Sequence, residues 1–319
     1  MQEFAFELAL CRQLETETDG VVSRQLGTQV HGRRVMDVVC VSPGPEFAKR
    51  LSITPEVIPT AAIESAVGPG ESTFWKDAFD CHPDRAETAV EQAVECGFFE
   101  RERHNGRTYV RQTVRYPDWY GRLIGIENKP DLGRPGDLER QLLTDVKLGL
   151  LDGVVLATAS HITGAHRNRI PEKVGIWQFD PESGEREVLR KPSPLPTADP
   201  GVEILDRTAT RTEIAIATSG ELRRARTRVA ERAYGKGWRS YDLPACERVE
   251  PDESGVPYCP WKDRIVRPAV DCGSSCGGHD PADPPAVDAD SLRAERSPWD
   301  PDPPGRQREQ SGLDRFTGS

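Results

Sequence analysis

The chain has 319 residues, enough for one sizeable core and one or two small modules, and its formal charge is −10. No apolar run is long enough to span a bilayer, since "LLDGVVLATA" is cut by Asp152, and no basic stretch leads into an apolar one at the N-terminus, so a soluble, cytoplasmic protein without membrane contacts is expected. Acidity by itself argues against nucleic acid, whose phosphates need positive charge; only eight of the 42 basic residues are lysine, a balance that goes with acidic proteins of salt-loving organisms, and in such an organism the objection weakens because the acidity belongs to the whole proteome.

Residues 3–17 ("EFAFELALCRQLETE") place Phe4, Leu8 and Leu14 at helical spacing, with Glu7 on a neighbouring face. After the Asp19-Gly20 turn, residues 33–42 ("RRVMDVVCVS") form a β-branched run that predicts a strand with Asp37 at its centre. A carboxylate there is expensive unless it is paired or holds a metal.

Residues 50–118 predict two or three short helices, among them "PDRAETAVEQAVECG", with Pro83 in a first helical turn and Gly97 as a stop. A hairpin follows, "FFERERHNGRTYVRQT", turning at Asn105-Gly106. Helices followed by such a hairpin resemble a winged helix-turn-helix. Arg101, Arg103, Arg107 and Arg111 suit phosphate contacts, whereas the preceding helix carries Asp84, Glu87, Glu91 and Glu95, so a protein–protein or purely structural role is equally open.

The strand 122–129 then sets Glu127 and Lys129 on one face and stops at Pro130, which cannot extend a ladder. Alone, such a pair reads as an ordinary exposed ion pair. A helix near 136–151, strands at 153–160 and 174–180, and the Pro-rich linker "KPSPLPTADP" complete this block. Residues 202–241 add a strand, "TEIAIAT", and a helix with Arg223, Arg224, Arg226, Arg228 and Arg232. From about 280 the chain is rich in Pro, Asp, Ser and Arg, and is expected to be disordered.

The order of a helix with Glu7, a strand with Asp37, a strand with Glu127 and Lys129, a helix with Gln141 and a further strand, together with "GRRVMD", "IENK" and "LERQLL", resembles the PD-(D/E)xK nuclease superfamily. The likeness is to its RecB-like and archaeal-resolvase-like branches and covers residues 1 to about 180 without the insert. It implies an α/β, restriction-endonuclease-like mixed sheet flanked by helices, formed by 1–48 and 120–190 around an inserted winged-helix-like module at 49–119. A strand and Arg-rich helix extension at 201–243, a four-cysteine region at 244–279 and a tail at 280–319 would follow.

Phosphodiester cleavage needs a divalent cation to polarise the phosphate and acidify a water. The resemblance implies Asp37 and Glu127 as ligands of Mg²⁺ or Mn²⁺, Lys129 as the catalytic amine, Glu7 as support from the first helix, and Gln141 as a residue that steadies the site or the DNA backbone. Without it, Glu7 and Gln141 read as helix-surface residues and Asp37 as a hydrogen-bonded strand-end carboxylate. Three features depart from the pattern: the insert between Asp37 and Glu127, Asn128 where an apolar residue is usual, and Asp145 where RecB-like members often have Tyr.

Cys11, Cys40, Cys81 and Cys96 are scattered through predicted helices and strands and read as small buried apolar residues. Cys246, Cys259, Cys272 and Cys276 are spaced C-x12-C-x12-C-x3-C among Gly and Pro, which predicts a tetrahedral Zn²⁺ site, with a [4Fe–4S] cluster or unliganded thiols as the alternatives. RecB-like nucleases with such a cluster usually draw one cysteine from the N-terminal part, here only Cys11 or Cys40. Near the end, Gln310, Leu313 and Phe316 stand at Q-x-x-L-x-x-F, resembling the peptide with which replication and repair enzymes dock on the sliding clamp, although Thr317 replaces the usual second aromatic. The sequence thus predicts a metal-dependent DNA nuclease of repair, recombination or replication; its rival is a catalytically silent DNA-binding or scaffolding protein that keeps the fold.

Overall fold

The computed structural model describes residues 2–27, 34–55, 57–79, 81–133, 136–197, 201–207, 210–301 and 303. They form two compact units, one built from 2–45 with 120–299 and the other containing 46–119.

In chain order, the first unit opens with α1 (Glu3–Glu17), β1 (Val21–Gly27) and β2 (Val35–Pro43). The second unit contributes α2 (Phe47–Leu51), α3 (Thr60–Glu64), β3 (Thr73–Phe74), a 3₁₀ turn (Trp75–Asp77), α4 (Pro83–Glu95), β4 (Phe99–His104) and β5 (Arg107–Gln112). The first then resumes with β6 (Tyr120–Asn128), α5 (Leu138–Lys147), β7 (Gly153–Thr158), α6 (Gly164–Arg169), β8 (Gly175–Phe179) and β9 (Arg186–Arg190). Its C-terminal part holds β10 (Gly201–Arg207), β11 (Thr212–Ala217), α7 (Ser219–Lys236), β12 (Glu250–Pro251), β13 (Pro257–Cys259), β14 (Arg264–Ile265), α8 (Pro268–Asp271) and α9 (Ala289–Arg296).

The first unit is mixed α/β. Its six-stranded sheet runs β1-β2-β6-β7-β8-β9, antiparallel from β1 through β6, parallel from β6 through β8, and antiparallel again at β9. The first parallel step, β6 to β7, is bridged by α5, as a parallel crossover requires. Every residue of β7 is buried, which marks a strand covered on both faces. Phe6, Leu10 and Leu14 of α1 pack with Val22, Val38, Ile126, Val155, Phe179 and Trp238 in one core. A side chain at Gly20 would collide with the Val41 carbonyl, so the turn into β1 admits only glycine.

Strand β1 has no counterpart among the sequence expectations. Nor do the segments after the linker stand apart: α7 buries Val229, Ala230 and Ala233, and Val256 joins the core of α1. The expected disorder from 280 is corrected over 281–301, where α9 is capped by the Asp288 side chain, which accepts from Ser291 N–H. This segment buries no long apolar stripe; Arg293 instead lays its stem into the fold, donates to the Tyr234 carbonyl and stacks 4.3 Å from the Trp299 ring. Gln310, Leu313 and Phe316 lie outside the described residues. No helix among those described is long and apolar enough to cross a membrane.

The second unit has its own core of Ala62, Val67, Val90, Ala93, Phe98, Phe99 and Val110 beneath an antiparallel sheet ordered β3-β5-β4. Pro83 starts α4, Gly97 leaves it at φ 76°, and Asn105-Gly106 turn the hairpin at φ 50° and 75°.

One buried ion pair ties α1 to the chain after α7. Arg239 meets both oxygens of Glu15 at 2.8 and 2.6 Å, with side chains 5% and 3% exposed, and Trp238 Nε1 donates to Glu15 at 2.9 Å. Glu15→Ala strands Arg239 and should cost about 3–5 kcal/mol in urea denaturation followed by circular dichroism, whereas adding Arg239→Ala to it should cost little more.

Candidate active site

Glu7, in the second turn of α1, is 2% exposed and accepts three hydrogen bonds: from Arg24 Nε at 2.6 Å, Gln25 Nε2 at 2.8 Å and Asn128 Nδ2 at 2.7 Å. Consecutive residues of a regular strand face opposite ways. Arg24 and Gln25 reach the same carboxylate because Gln25 adopts φ 50°, a left-handed conformation uncommon outside glycine. The ladders make room for this: β1 pairs Arg24 with Val38 and Leu26 with Met36, passing over Gln25 and Asp37 between them.

Asp37 takes over a backbone role. The pairing of β2 with β6 ends at Val38 and Ile126, and beyond it Asp37 Oδ2 accepts the Asn128 N–H at 3.0 Å. Glu127, one residue earlier on β6 and 5% exposed, turns to Arg34, whose Nη2 is 2.5 Å from Oε2. The same guanidinium forks onto Asp145 of α5 at 2.8 Å through Nε and Nη2. Lys129 lies just past β6, half-buried, its Nζ 4.0 Å from Glu3 Oε1. Gln141 sits one turn before Asp145, half-buried, and its side chain makes no hydrogen bond to these carboxylates among the described residues. Asn128 and Asp145, the two residues out of pattern in the sequence, are therefore the partners of Glu7 and Arg34. Sequence reasoning missed Arg24, Gln25 and Arg34 as members of the site; an arginine inside the short apolar run "VVSRQLG" was the available signal.

Glu3, Glu7, Asp37, Glu127 and Asp145 face Arg24, Arg34, Lys129 and Lys236, so carboxylates outnumber cations among the described residues. Burial, reinforced by the neighbouring Glu127 and Glu7, pushes the Asp37 carboxyl up to about 8 against the Asn128 N–H and Arg34. Burial also raises Glu127 and Asp145, with Arg34 opposing. Burial works against the charge of Arg34, and its bonds to Asp145 and Glu127 outweigh it.

Among the described residues no three His, Cys, Asp or Glu side chains form a ready-made metal site, and Arg34 neutralises Glu127 and Asp145 instead. The donor chemistry nevertheless fits a hard cation. Mg²⁺ commonly takes one or two carboxylates and keeps its waters, and Asp37 and Glu127 supply two. Asn128 Oδ1 is buried without a partner, at a cost of about 1–3 kcal/mol.

The other expected sites fare differently. On the β4–β5 hairpin Arg101 and Arg103 share one face, while Arg107 and Arg111 lie on the other with Glu100 and Glu102. Arg111 is bound to Glu100 at 2.7 Å and Arg107 lies 5.6 Å from the Phe74 ring, so the four arginines do not form one surface. Asp84, Glu87, Glu91 and Glu95 are exposed on α4. All eight cysteines are free thiols; Cys11 and Cys40 pack in the main core, where burial raises them, Cys40 to about 12. Cys96 is exposed and Cys81 half-buried, contrary to the apolar-core reading of those two. Cys246 and Cys259 are buried with Val249 and Val266, and Cys272 packs against them.

Residues 21–281 match a family of unknown function, DUF5787, and the chain belongs to that family. The match takes in Asp37, Glu127, Lys129, Gln141 and the four late cysteines; it begins after α1, so Glu7 lies outside it. No curated protein and no solved structure matches the chain.

The Asp37 proton provides a test of the cluster. The folded chain holds it more tightly than the unfolded chain, where the carboxyl titrates near 3.8, so it stabilises the fold fully below about pH 4, progressively less as pH rises, and not at all above about 8. Asp37→Asn keeps an acceptor for Asn128 and escapes this loss. In chelator-treated protein its melting temperature should exceed the parent's at pH 8.5, by ~2–4 °C for each kcal/mol relieved, with the gap closing toward pH 5. A difference that does not vary with pH would show that Asp37 titrates normally.

Proposed function

We propose that the chain is a divalent-metal-dependent DNA nuclease with a restriction-endonuclease-like core. The observation that carries this reading is the run α1-β1-β2-β6-α5-β7, three antiparallel strands followed by a helix and a parallel strand, with Asp37 and Glu127 on the neighbours β2 and β6 and Lys129 two residues on. Asp37 and Glu127 would hold Mg²⁺ or Mn²⁺, which when bound polarises a phosphate oxygen and acidifies a water.

The remaining steps belong to the chain's own groups. Asp37 gives up its proton as a ligand. Glu7 holds the Asn128 amide and thereby the strand end from which Glu127 and Lys129 project. The Lys129 ammonium meets charge that develops on the phosphate, and the Arg34 guanidinium, which keeps Glu127 and Asp145 neutralised, has the planar fork that suits phosphate oxygens. Gln141 would steady the site or the DNA backbone from α5.

The second unit supports a winged-helix-like reading through its sheet order β3-β5-β4 and the position of α4 ahead of the β4–β5 wing. Arg101 and Arg103 give the wing a phosphate-binding face, while the acidic surface of α4 favours a protein contact over a DNA groove.

A second reading, a catalytically silent DNA-binding or scaffolding protein, is favoured by one observation: Arg34 already satisfies Glu127 and Asp145 without a metal. The two separate in a cleavage assay on single-stranded, duplex and branched DNA with Mg²⁺ or Mn²⁺ in high salt. Cleavage is expected, and Glu127→Ala and Lys129→Ala should each lower it by ~100-fold or more while leaving circular dichroism unchanged. DNA binding without cleavage under every condition supports the silent protein, and cleavage that survives Glu127→Ala moves the chemistry elsewhere.

Docking on the sliding clamp through Gln310, Leu313 and Phe316 is a separate proposal, resting on the sequence pattern alone. In calorimetry against the host's clamp, the 305–319 peptide should bind and its Phe316→Ala variant should not.

A further inference from the structure

We propose that Cys246, Cys259, Cys272 and Cys276 together bind one zinc ion as a structural site, independent of any nuclease activity.

Cysteine makes up most of the small core at this end of the first unit: Cys246, Cys259 and Cys272 pack with only Val249 and Val266. The sheet above it, β12-β13-β14, has strands of two, three and two residues. Val256 and Ile265 tie β13 and β14 to the main core, but around the cysteines themselves there are few apolar groups, and small cores of this kind commonly rely on a disulfide or a metal. All four thiols are free, which leaves the metal.

The backbone brings the four residues together from separate arms. Cys246, Cys259 and Cys276 each open a turn closed on their own carbonyl, by Val249 N–H at 3.2 Å, Lys262 N–H at 3.1 Å and His279 N–H at 2.9 Å. The arm after Cys276 returns to the first cysteine: Glu247 N–H donates to the Asp280 carbonyl at 2.9 Å, and Cys246 bridges to Pro281. Cys272 ends α8, whose Asp271 is fixed by Arg264 and by the Arg267 N–H at 2.7 Å each. Cys272 packs against Cys246 and Cys259 in the same cluster.

Among the described residues the thiols do not yet converge on one point, so ligation requires their side chains to move together. Each thiol loses a proton on binding, four for one Zn²⁺. Zinc is preferred to a four-iron cluster because Cys246 and Cys259 are only 4% exposed and pack against valines, which suits a single small ion better than a cube of iron and sulfide. Cys11 and Cys40, the N-terminal candidates for a cluster ligand, are occupied in the main core.

Full-length protein purified without oxygen should be colourless and carry about one zinc per chain by elemental analysis. Exchange with Co²⁺ should give intense thiolate-to-metal absorption and the visible bands of a tetrahedral site. Cys259→Ser and Cys272→Ser should each lose the zinc, while Asp37→Asn should keep it, which separates this site from the carboxylate cluster. Because a serine variant can fail to fold, the thiols of the parent are also mapped: besides the core thiols Cys11 and Cys40, the four late cysteines should resist a disulfide reagent until a zinc chelator is added, and hydrogen exchange should then quicken over 244–281 and not in α1. A metal-free parent in which these four thiols react at once, a brown iron-containing protein, or zinc lost with Asp37→Asn and kept with Cys272→Ser would each overturn the proposal.

Discussion

Glu7 is a charge placed where water cannot reach it, and the fold around the candidate site is arranged to answer that charge. Three donors from two strands converge on one carboxylate, and one of them requires Gln25 to take a left-handed conformation. A buried carboxylate left with a single partner would cost several kcal/mol. Meeting it fully fixes α1 against β1 and against the end of β6 at once. The consequences pass outward through Asn128, whose side chain serves Glu7 and whose backbone N–H serves Asp37. Asp37 is therefore held by a residue that Glu7 holds, and Glu127 and Lys129 flank that same residue on either side.

The same end of the sheet carries more negative charge than stability alone would ask for. Asp37, Glu127 and Asp145 all have raised carboxyl pKa values, burial being the first cause in each. Replacing them with well-packed apolar residues would remove that cost. Arg34 offsets part of it, forking onto Glu127 and Asp145, yet Asp37 keeps its proton into mildly basic solution and Asn128 Oδ1 has no partner. Such residual frustration is gathered where three strand ends meet, and shifts clustered in this way mark a candidate functional site.

What the sequence made legible was local. Helix α1 runs over the residues its spacing predicts, and the Pro83 start, the Gly97 stop and the Asn105-Gly106 turn follow from backbone preferences of single residues. Asp37 and Glu127 were legible because a carboxylate amid β-branched residues is costly wherever the chain goes. Strand β1 was not: "VVSRQLG" is short, carries Arg24 and Gln25 at its centre, and finds its partners in β2 and Glu7 only in the fold. Arg34 was invisible for a similar reason: its partners lie 93 and 111 residues away. Helix α9 escaped because Arg293 and Trp299, rather than an aliphatic stripe, supply its anchorage.

The segments beyond the Pro-rich linker then take on a role that their sequence does not suggest. β1 lies at an edge of the main sheet, where unpaired backbone groups invite disorder or association. The chain leaving α7 covers that edge: Gly237, at φ 63°, turns its carbonyl to Arg24 N–H at 3.3 Å and to Ser23 Oγ at 3.0 Å, and Lys236 Nζ reaches the Gln25 carbonyl. The residues secured in this way are those that hold Glu7. One residue later Trp238 and Arg239 close on Glu15 of the same helix, and Val256 enters the core beside them. The C-terminal part thus works as the outer wall of the carboxylate cluster, and the position of Asp37 and Glu127 depends on chain that comes after them in sequence.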